Sequence, residues 1–387
     1  MKINEKQVTH ICLIGDDPTA NLTPIIDKVI PSDRVIIAHE QYQQEQVEQL
    51  KKVIQTRGYK VDKWLLPTTF NTEEIKFNFM QLFEHEATHP SETWLNASNG
   101  SRYQILAAYE VARAYDAQIY IVEPKYDALC WLSPENKKLT PVADKIKLHE
   151  FLSVNGCTLT SQQNKNGISA DLRAIGENWL KQADKLQTGL AKLNYLAQFT
   201  HDDTFVSKEQ DSVMLNDESL QWLLNDLETL DLIKVEDKAV HFQNEKTRFF
   251  ANGGWLEEIT FSYIRSLSSE IPELQDDGHS LEIERSINGK TIKNELDVVA
   301  LVNNKLHVIE CKTKKFKNGD GSNMLYKIDS LAERLGGLKC KAALVTFYPL
   351  NKSELARAKE LNVEIFSGIA LSNLKNKLND WLQNNKQ

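Results

Sequence analysis

In the stretch NELDVVALVNNKLHVIECK, residues 294–312, two carboxylates and a lysine fall where a hairpin would bring them together. Asn303-Asn304 tolerates positive φ and, between two apolar alternating runs, reads as a two-residue hairpin turn. With Val302 facing Lys305, Asp297 lies opposite Glu310 and Glu295 opposite Lys312. Side chains alternate along a strand, so Glu310 and Lys312 share a face and Cys311 takes the other. Directly opposed residues have Cβ atoms about 4.5–5.5 Å apart, and two carboxylates that close repel unless a cation or a proton lies between them. A hard divalent ion, Mg²⁺ or Mn²⁺, suits carboxylate oxygens and keeps waters in its shell. Lys312 beside the pair can orient such a water, or help deprotonate it, for attack on a phosphodiester. The plainer alternative is a charged hairpin face with Glu295 and Lys312 as a surface ion pair. The runs VVALV and LHVI argue against it, because they bury the hairpin and a buried acidic pair needs a reason.

The elements that must carry this hairpin begin with the helix GGWLEEITFSYIRSL. Strands LEIERSI, NELDVVALV and KLHVIECKTKK follow, then two helix and strand pairs, MLYKIDSLAERLGG to KAALVTFY and SELARAKELN to VEIFSG. Upstream, the first 155 residues alternate short apolar runs (HICLIG, RVIIAHE, VDKWLLP, ETWLNAS, QIYIVEP) with helical stretches, the first of them an amphipathic helix after Pro24. Such alternation indicates a parallel sheet covered on both faces, a Rossmann-like α/β layer fold. The polar tract SVNGCTLTSQQNKNG, residues 153–167, marks the exit from that domain. Residues 156–246 form a mainly helical, winged-helix-like connector: a helix with Leu220, Leu223, Leu224 and Leu227 precedes two short strands around 235–238. That helix carries Asp217, Glu218, Asp226 and Glu228, which disfavours DNA reading and favours a structural role. Residues 247–387 make the third domain.

Two polar loops stand out in the first domain: GDDPTANLTPII (15–26) after the first strand and NASNGSRYQ (96–104) after a later one. Each leads from a strand into a helix, so backbone N–H groups and hydroxyls are aimed at an anion, although ordinary capping by Asn or Ser would look the same. The formal charge of −8 argues against a protein that coats nucleic acid. Between Arg285 and Lys341, however, 12 Lys and Arg stand against 6 Asp and Glu, which would give a local basic face. Cys12, Cys130, Cys157, Cys311 and Cys340 are scattered and never form a CxxC pair, so neither disulfides nor a zinc site is expected. Histidines 39, 85, 89, 149, 201, 241, 279 and 307 show no metal-ligand spacing and are assigned no catalysis. With no leader-like h-region and no run of about 18 apolar residues, a cytoplasmic protein without a membrane partner is expected.

The order GGWLE on a helix, a strand ending ELDV and a strand ending ECK resembles the PD-(D/E)XK nuclease superfamily. The resemblance implies a restriction-endonuclease-like fold in which Asp297 and Glu310 hold metal and Lys312 assists the nucleophilic water. It gives Glu257 the helical position that completes the metal site, with Glu258 as its neighbouring alternative. The Gln-containing motif common on the next helix is not evident; Tyr326 or Lys327 is the candidate for substrate contact there.

The loop Asn96, Ser98, Asn99, Gly100, Ser101, Arg102 resembles the NxTGGTK-like motif of CARF domains, with Ser98 for Thr, Asn99 for the first Gly, Ser101 for Thr and Arg102 for Lys. The ligand site so implied also takes in Gly15, Asp16, Pro18 and Thr19. The whole chain then resembles the CARF nucleases of type III CRISPR systems. This implies a homodimer, a cyclic oligoadenylate activator (cyclic tetra-adenylate foremost), Mn²⁺ or Mg²⁺, and RNA or single-stranded DNA as substrate. The rival readings are a DNA repair or restriction-type endonuclease without nucleotide activation, and a ligand-responsive transcription regulator.

Overall fold

The computed structural model describes residues 7–89, 91–143, 145–162, 167–201, 204–287, 289–316 and 320–384. Residues 163–166 of the polar tract and Lys317 of the basic stretch lie outside them.

The first sheet is built from β1 (Val8–Leu13), β2 (Arg34–His39), β3 (Lys60–Leu65), β4 (Glu92–Asn96), β5 (Gln118–Glu123), β6 (Ala128–Ser133) and β7 (Thr140–Pro141), in the order β3-β2-β1-β4-β5-β6-β7. The first five strands pair in parallel, and β6 and β7 add an antiparallel edge. Helices α1 (Thr19–Ile26), α2 (Gln44–Thr56), α3 (Thr72–Glu86) and α4 (Arg102–Ala114) connect the parallel strands, and α5 (Leu148–Val154) follows the sheet. The five apolar runs read from the sequence correspond to β1 through β5. The first helix departs from expectation, because it starts at Thr19 and contains Pro24 rather than following it. Pro24 has no N–H for the Ala20 carbonyl. The Asn96 amide donates to that carbonyl instead, at 2.8 Å, so the helix tolerates the proline.

The polar tract contributes a strand, β8 (Thr158–Gln162), which pairs antiparallel with residues 281–284 at the edge of the second sheet. After it come α6 (Ala170–Lys181), α7 (Ala183–Gln198), α8 (Ser212–Leu215), α9 (Glu218–Thr229), the antiparallel pair β9 (Ile233–Glu236) and β10 (Ala239–Phe242), and α10 (Glu245–Phe249). Leu220, Leu223, Leu224 and Leu227 of α9 are all buried, as their helical spacing requires.

The last region holds α11 (Trp255–Leu267), β11 (Leu274–Ile287), β12 (Lys290–Val302), β13 (Lys305–Lys312), α12 (Asp320–Gly336), β14 (Cys340–Thr346), α13 (Lys352–Glu360), β15 (Val363–Ser367) and α14 (Leu374–Gln383). Its six-stranded sheet runs β15-β14-β13-β12-β11-β8. Val302 pairs with Lys305, and both Asn303 and Asn304 have positive φ, so the hairpin has the turn and register read from the sequence.

One apolar cluster joins the two sheets. Cys12, Val35 and Leu50 from the first half and Leu296, Leu301 and Val308 from the second belong to it, with Phe151 and Leu152 of α5 between them. Among the described residues no helix is long and apolar enough to cross a membrane.

Candidate active site and ligand loops

Pairing between β12 and β13 ends at Val298 and Ile309, one step short of Asp297 and Glu310. Where the strands part, the Cys311 amide donates to Asp297 Oδ2 at 2.8 Å, which pins the carboxylate beside Glu310. Lys312 does not pair with Glu295 across the hairpin. Its ammonium lies 2.9 Å from Glu310 Oε1 and 3.2 Å from Asp297 Oδ2, bridging the two acids, while Glu295 is exposed. Asp297 and Glu310 are buried, and Cys311 points into the opposite core with Ile309, as strand alternation demands.

Glu257 reaches this group from the first turn of α11. Its carboxyl is pushed far above the usual range, first by burial and then by the negative charge of Asp297. Asp297 is raised as well, by burial and by Glu310. Burial works against the Lys312 ammonium, but Asp297 and Glu310 more than offset this and hold the proton on it. Glu258 turns elsewhere: its Oε2 lies 3.4 Å from His279 Nε2, and burial raises its pKa without any contribution from the acidic group. The two neighbours on α11 are thereby distinguished.

The glycine pair ahead of Trp255 has a steric reason. Gly253 has φ +112°, and a Cβ there would collide with Thr313 Oγ1, so glycine lets α11 start against the end of β13. Asn194 of α7 donates to Thr313 Oγ1 at 3.2 Å and thus ties the connector to the same point, a contact with no signal in the sequence. On α12, the Lys327 ammonium lies 3.5 Å from Glu310 Oε1, whereas Tyr326 sits beneath the Arg357 guanidinium. The basic face is thinner than the count implied: Lys305 and Lys339 are buried, and Lys339 Nζ lies 3.6 Å from Asp127 Oδ1 of the first sheet's edge.

The two polar loops meet above the C-terminal ends of β1 and β4. Asn99 stitches them together: its Oδ1 accepts from the Asp17 amide at 3.1 Å, and its Nδ2 donates to the Asp17 carbonyl at 2.8 Å. Asn96 and Thr19 are fully buried, Thr19 donating to Asp17, and Ser98 Oγ accepts from the Val122 amide. Gly100 takes φ +115°, and Ser101 caps α4 in a reciprocal box with Gln104. Arg102 is exposed at the start of α4. Gly15, Asp16, Pro18 and Ser98 border a cleft of about 950 Å³ that reaches Arg334 and Lys339 of the second half. With Asp17, Glu45, Glu123 and Glu333 also on its walls, the cleft as a whole is acidic. Arg102 and the α4 N-terminus lie outside the residues that line this cleft.

The histidines need a correction. Among the described residues, His85, Glu86 and His89 bring one ligand atom each within 4.8 Å of one another, a metal-ligand grouping. The i, i+4 spacing of the two histidines around a glutamate was the available signal.

Fold and comparison together define the class: residues 243–385 match the Card1-like endonuclease domain family, and they stand behind a Rossmann-like α/β domain. Protein VC1899 from Vibrio cholerae, known from its crystal structure, is 34% identical to this chain, covering 97% of it and 98% of VC1899, with a TM-score of 0.90. The chain belongs to the same family as VC1899. Can2 from Sulfobacillus thermosulfidooxidans, solved in complex with cyclic tetra-adenylate, shares the fold at 24% identity over 97% of this chain and 100% of that one, with a TM-score of 0.80. A type III CRISPR defence DNA nuclease activated by cyclic oligoadenylate shares it at 13% identity and a TM-score of 0.56, over 88% of this chain and 45% of that one. No curated protein sequence matches the chain.

Proposed function

We propose that this protein is a homodimeric, cytoplasmic nuclease, activated by a cyclic oligoadenylate, that uses Mg²⁺ or Mn²⁺ to cut RNA or single-stranded DNA in CRISPR antiviral defence. The observation that carries the reading is the charge imbalance at the hairpin. Three carboxylates, Glu257, Asp297 and Glu310, lie about the Lys312 ammonium that bridges the last two, and among the described residues the buried Glu257 Oε2 has no hydrogen-bond partner. That donor set fits a hard divalent cation, which Glu257, Asp297 and Glu310 would hold. When bound, such a cation polarises a phosphodiester oxygen and acidifies its water.

The chain's own residues supply the rest. The Cys311 amide fixes the Asp297 carboxylate. Lys312, protonated and seated between Asp297 and Glu310, orients the attacking water and stabilises charge on the phosphate in the transition state. Lys314, Lys315 and Lys327, all exposed near the end of β13 and on α12, contact the substrate backbone.

The activator reading is supported by Can2, solved with cyclic tetra-adenylate, and by the oligoadenylate-activated nuclease of the same fold. On this chain Arg102 and the α4 N-terminus receive a ligand phosphate, with cyclic tetra-adenylate the first candidate. Exposed Phe70, Phe77, Met80 and Leu106 along the α3 and α4 side supply apolar surface for the dimer. The test is cleavage of labelled RNA, single-stranded DNA and duplex DNA in Mg²⁺ or Mn²⁺, each with and without cyclic tetra- and hexa-adenylate. Activity that appears only with a cyclic oligoadenylate and vanishes on chelation is the expected result; full activity without either activator or metal overturns the reading.

A further inference from the structure

Helix α3 ends at Glu86, and the turn beyond it returns His89 to the helix end, with the His89 amide donating to the Glu86 carbonyl at 2.9 Å. His85 Nδ1 lies 3.0 Å from Glu86 Oε1, and the His85 and His89 ring centroids are 5.4 Å apart. One ligand atom from each of the three residues lies within 4.8 Å of the others. Ligands at about 2.0–2.1 Å from a tetrahedral zinc ion are about 3.2–3.4 Å apart, so small side-chain rotations would close the group on a metal.

Glu86 is the unusual member. Its side chain is 1% exposed, although the two imidazoles beside it face solvent. Arg34 at the start of β2 donates to Glu86 Oε2 at 2.8 Å, and Asp62 of β3 takes the other side of the same guanidinium. Oε2 is thereby anchored and Oε1 is left facing the histidines, the outer-sphere arrangement that orients a ligating carboxylate. Asp62 also neutralises Arg34, so the guanidinium leaves no net positive charge against a cation. The C-terminal end of α3 adds its partial negative charge.

We propose that His85, Glu86 and His89 form a second metal site, for a late first-row divalent ion with zinc foremost. Two imidazoles and a carboxylate suit zinc, whereas the all-carboxylate set at the hairpin suits Mg²⁺ or Mn²⁺. The site serves structure. A glutamate in an H-E-x-x-H helix acts as a hydrolytic base only when its carboxylate is free to face a water, and Glu86 is held on one side by Arg34 and on the other by His85. Metal there joins the end of α3 and its turn to the starts of β2 and β3. These lie at the end of the sheet opposite the polar loops, so the site is separate from both the activator loops and the hairpin.

The experiment measures zinc bound after equilibrium dialysis of the full chain. An Asp297→Asn/Glu310→Ala background removes the hairpin carboxylates as competing ligands. One equivalent of zinc per chain is expected in that background, and none once His85→Asn and His89→Asn are added. Cobalt should give the visible absorption of a four-coordinate imidazole and carboxylate site only when both histidines are present. Zinc should raise the thermal midpoint of the chain with the histidines and leave the chain without them unmoved, while circular dichroism establishes that both are folded. Equal zinc content with and without the histidines overturns the site.

Discussion

The polar loops of the first sheet and the acidic hairpin of the second both drew attention as sequences, yet their polar groups are used in opposite ways. In the loops they answer one another: Asn99 takes both backbone groups of Asp17, and Asn96 supplies the hydrogen bond that Pro24 denies to Ala20. At the hairpin, Asp297 and Glu310 share the Lys312 ammonium, and a buried oxygen of Glu257 has no hydrogen-bond partner among the described residues. Polar groups that satisfy each other build a platform. Charges that are crowded and short of partners cost stability, and the surrounding fold must hold them in place for another purpose.

The largest expected effect tests the hairpin. Asp297→Asn, Glu310→Ala and Lys312→Ala should each lower activated cleavage by at least about 100-fold, with circular dichroism unchanged; wild-type turnover in Glu310→Ala would show that the crowding has no catalytic purpose. Next comes the one exposed cation of the second loop. Arg102→Ala should move the activation curve to about 10- to 150-fold higher cyclic oligoadenylate, the equivalent of a charge-assisted contact of about 1.5–3 kcal/mol, and leave the plateau untouched. Superimposable titrations would remove Arg102 from the ligand site.

Asn99→Ala probes the self-satisfied side. Two loop-to-loop hydrogen bonds vanish, so urea denaturation should show a loss of about 1–3 kcal/mol. Stability unchanged from wild type would mean that the loops are held by something else. The smallest effect is expected at Glu258, which faces His279 instead of the acidic group. Glu258→Gln should cleave within a few-fold of wild type, whereas Glu257→Gln should fall with the hairpin variants. Equal losses in the two would erase the distinction between neighbours on α11.

Strong local signals made much of this legible in the sequence. The Asn303-Asn304 turn sets the register of β12 and β13, which puts Asp297, Glu310 and Lys312 on one face, and apolar runs with helical intervals mark β1 through β5. Long-range partners escaped. Thr158–Gln162 looks like a linker because its pairing strand lies more than a hundred residues later in the chain. Nothing near Lys339 announces that Asp127 will bury it, so the count of basic residues overstated the exposed charge. The start of α1 was misplaced because the carbonyl freed by Pro24 is satisfied from β4, far along the sequence.

The apolar cluster shared by the two sheets has a consequence for anyone wishing to recombine such proteins. Phe151 and Leu152 of α5 lie between residues of both halves, and β8, cut off with the first half by any boundary drawn after it, is an edge strand of the nuclease sheet. Residues 243–385 expressed alone would lose β8 and α5 and bare Leu281, Leu296 and Val308 to water. A first domain transplanted from a relative would have to bring its own α5 and β8, because in this chain the seam between the two halves is itself hydrophobic core.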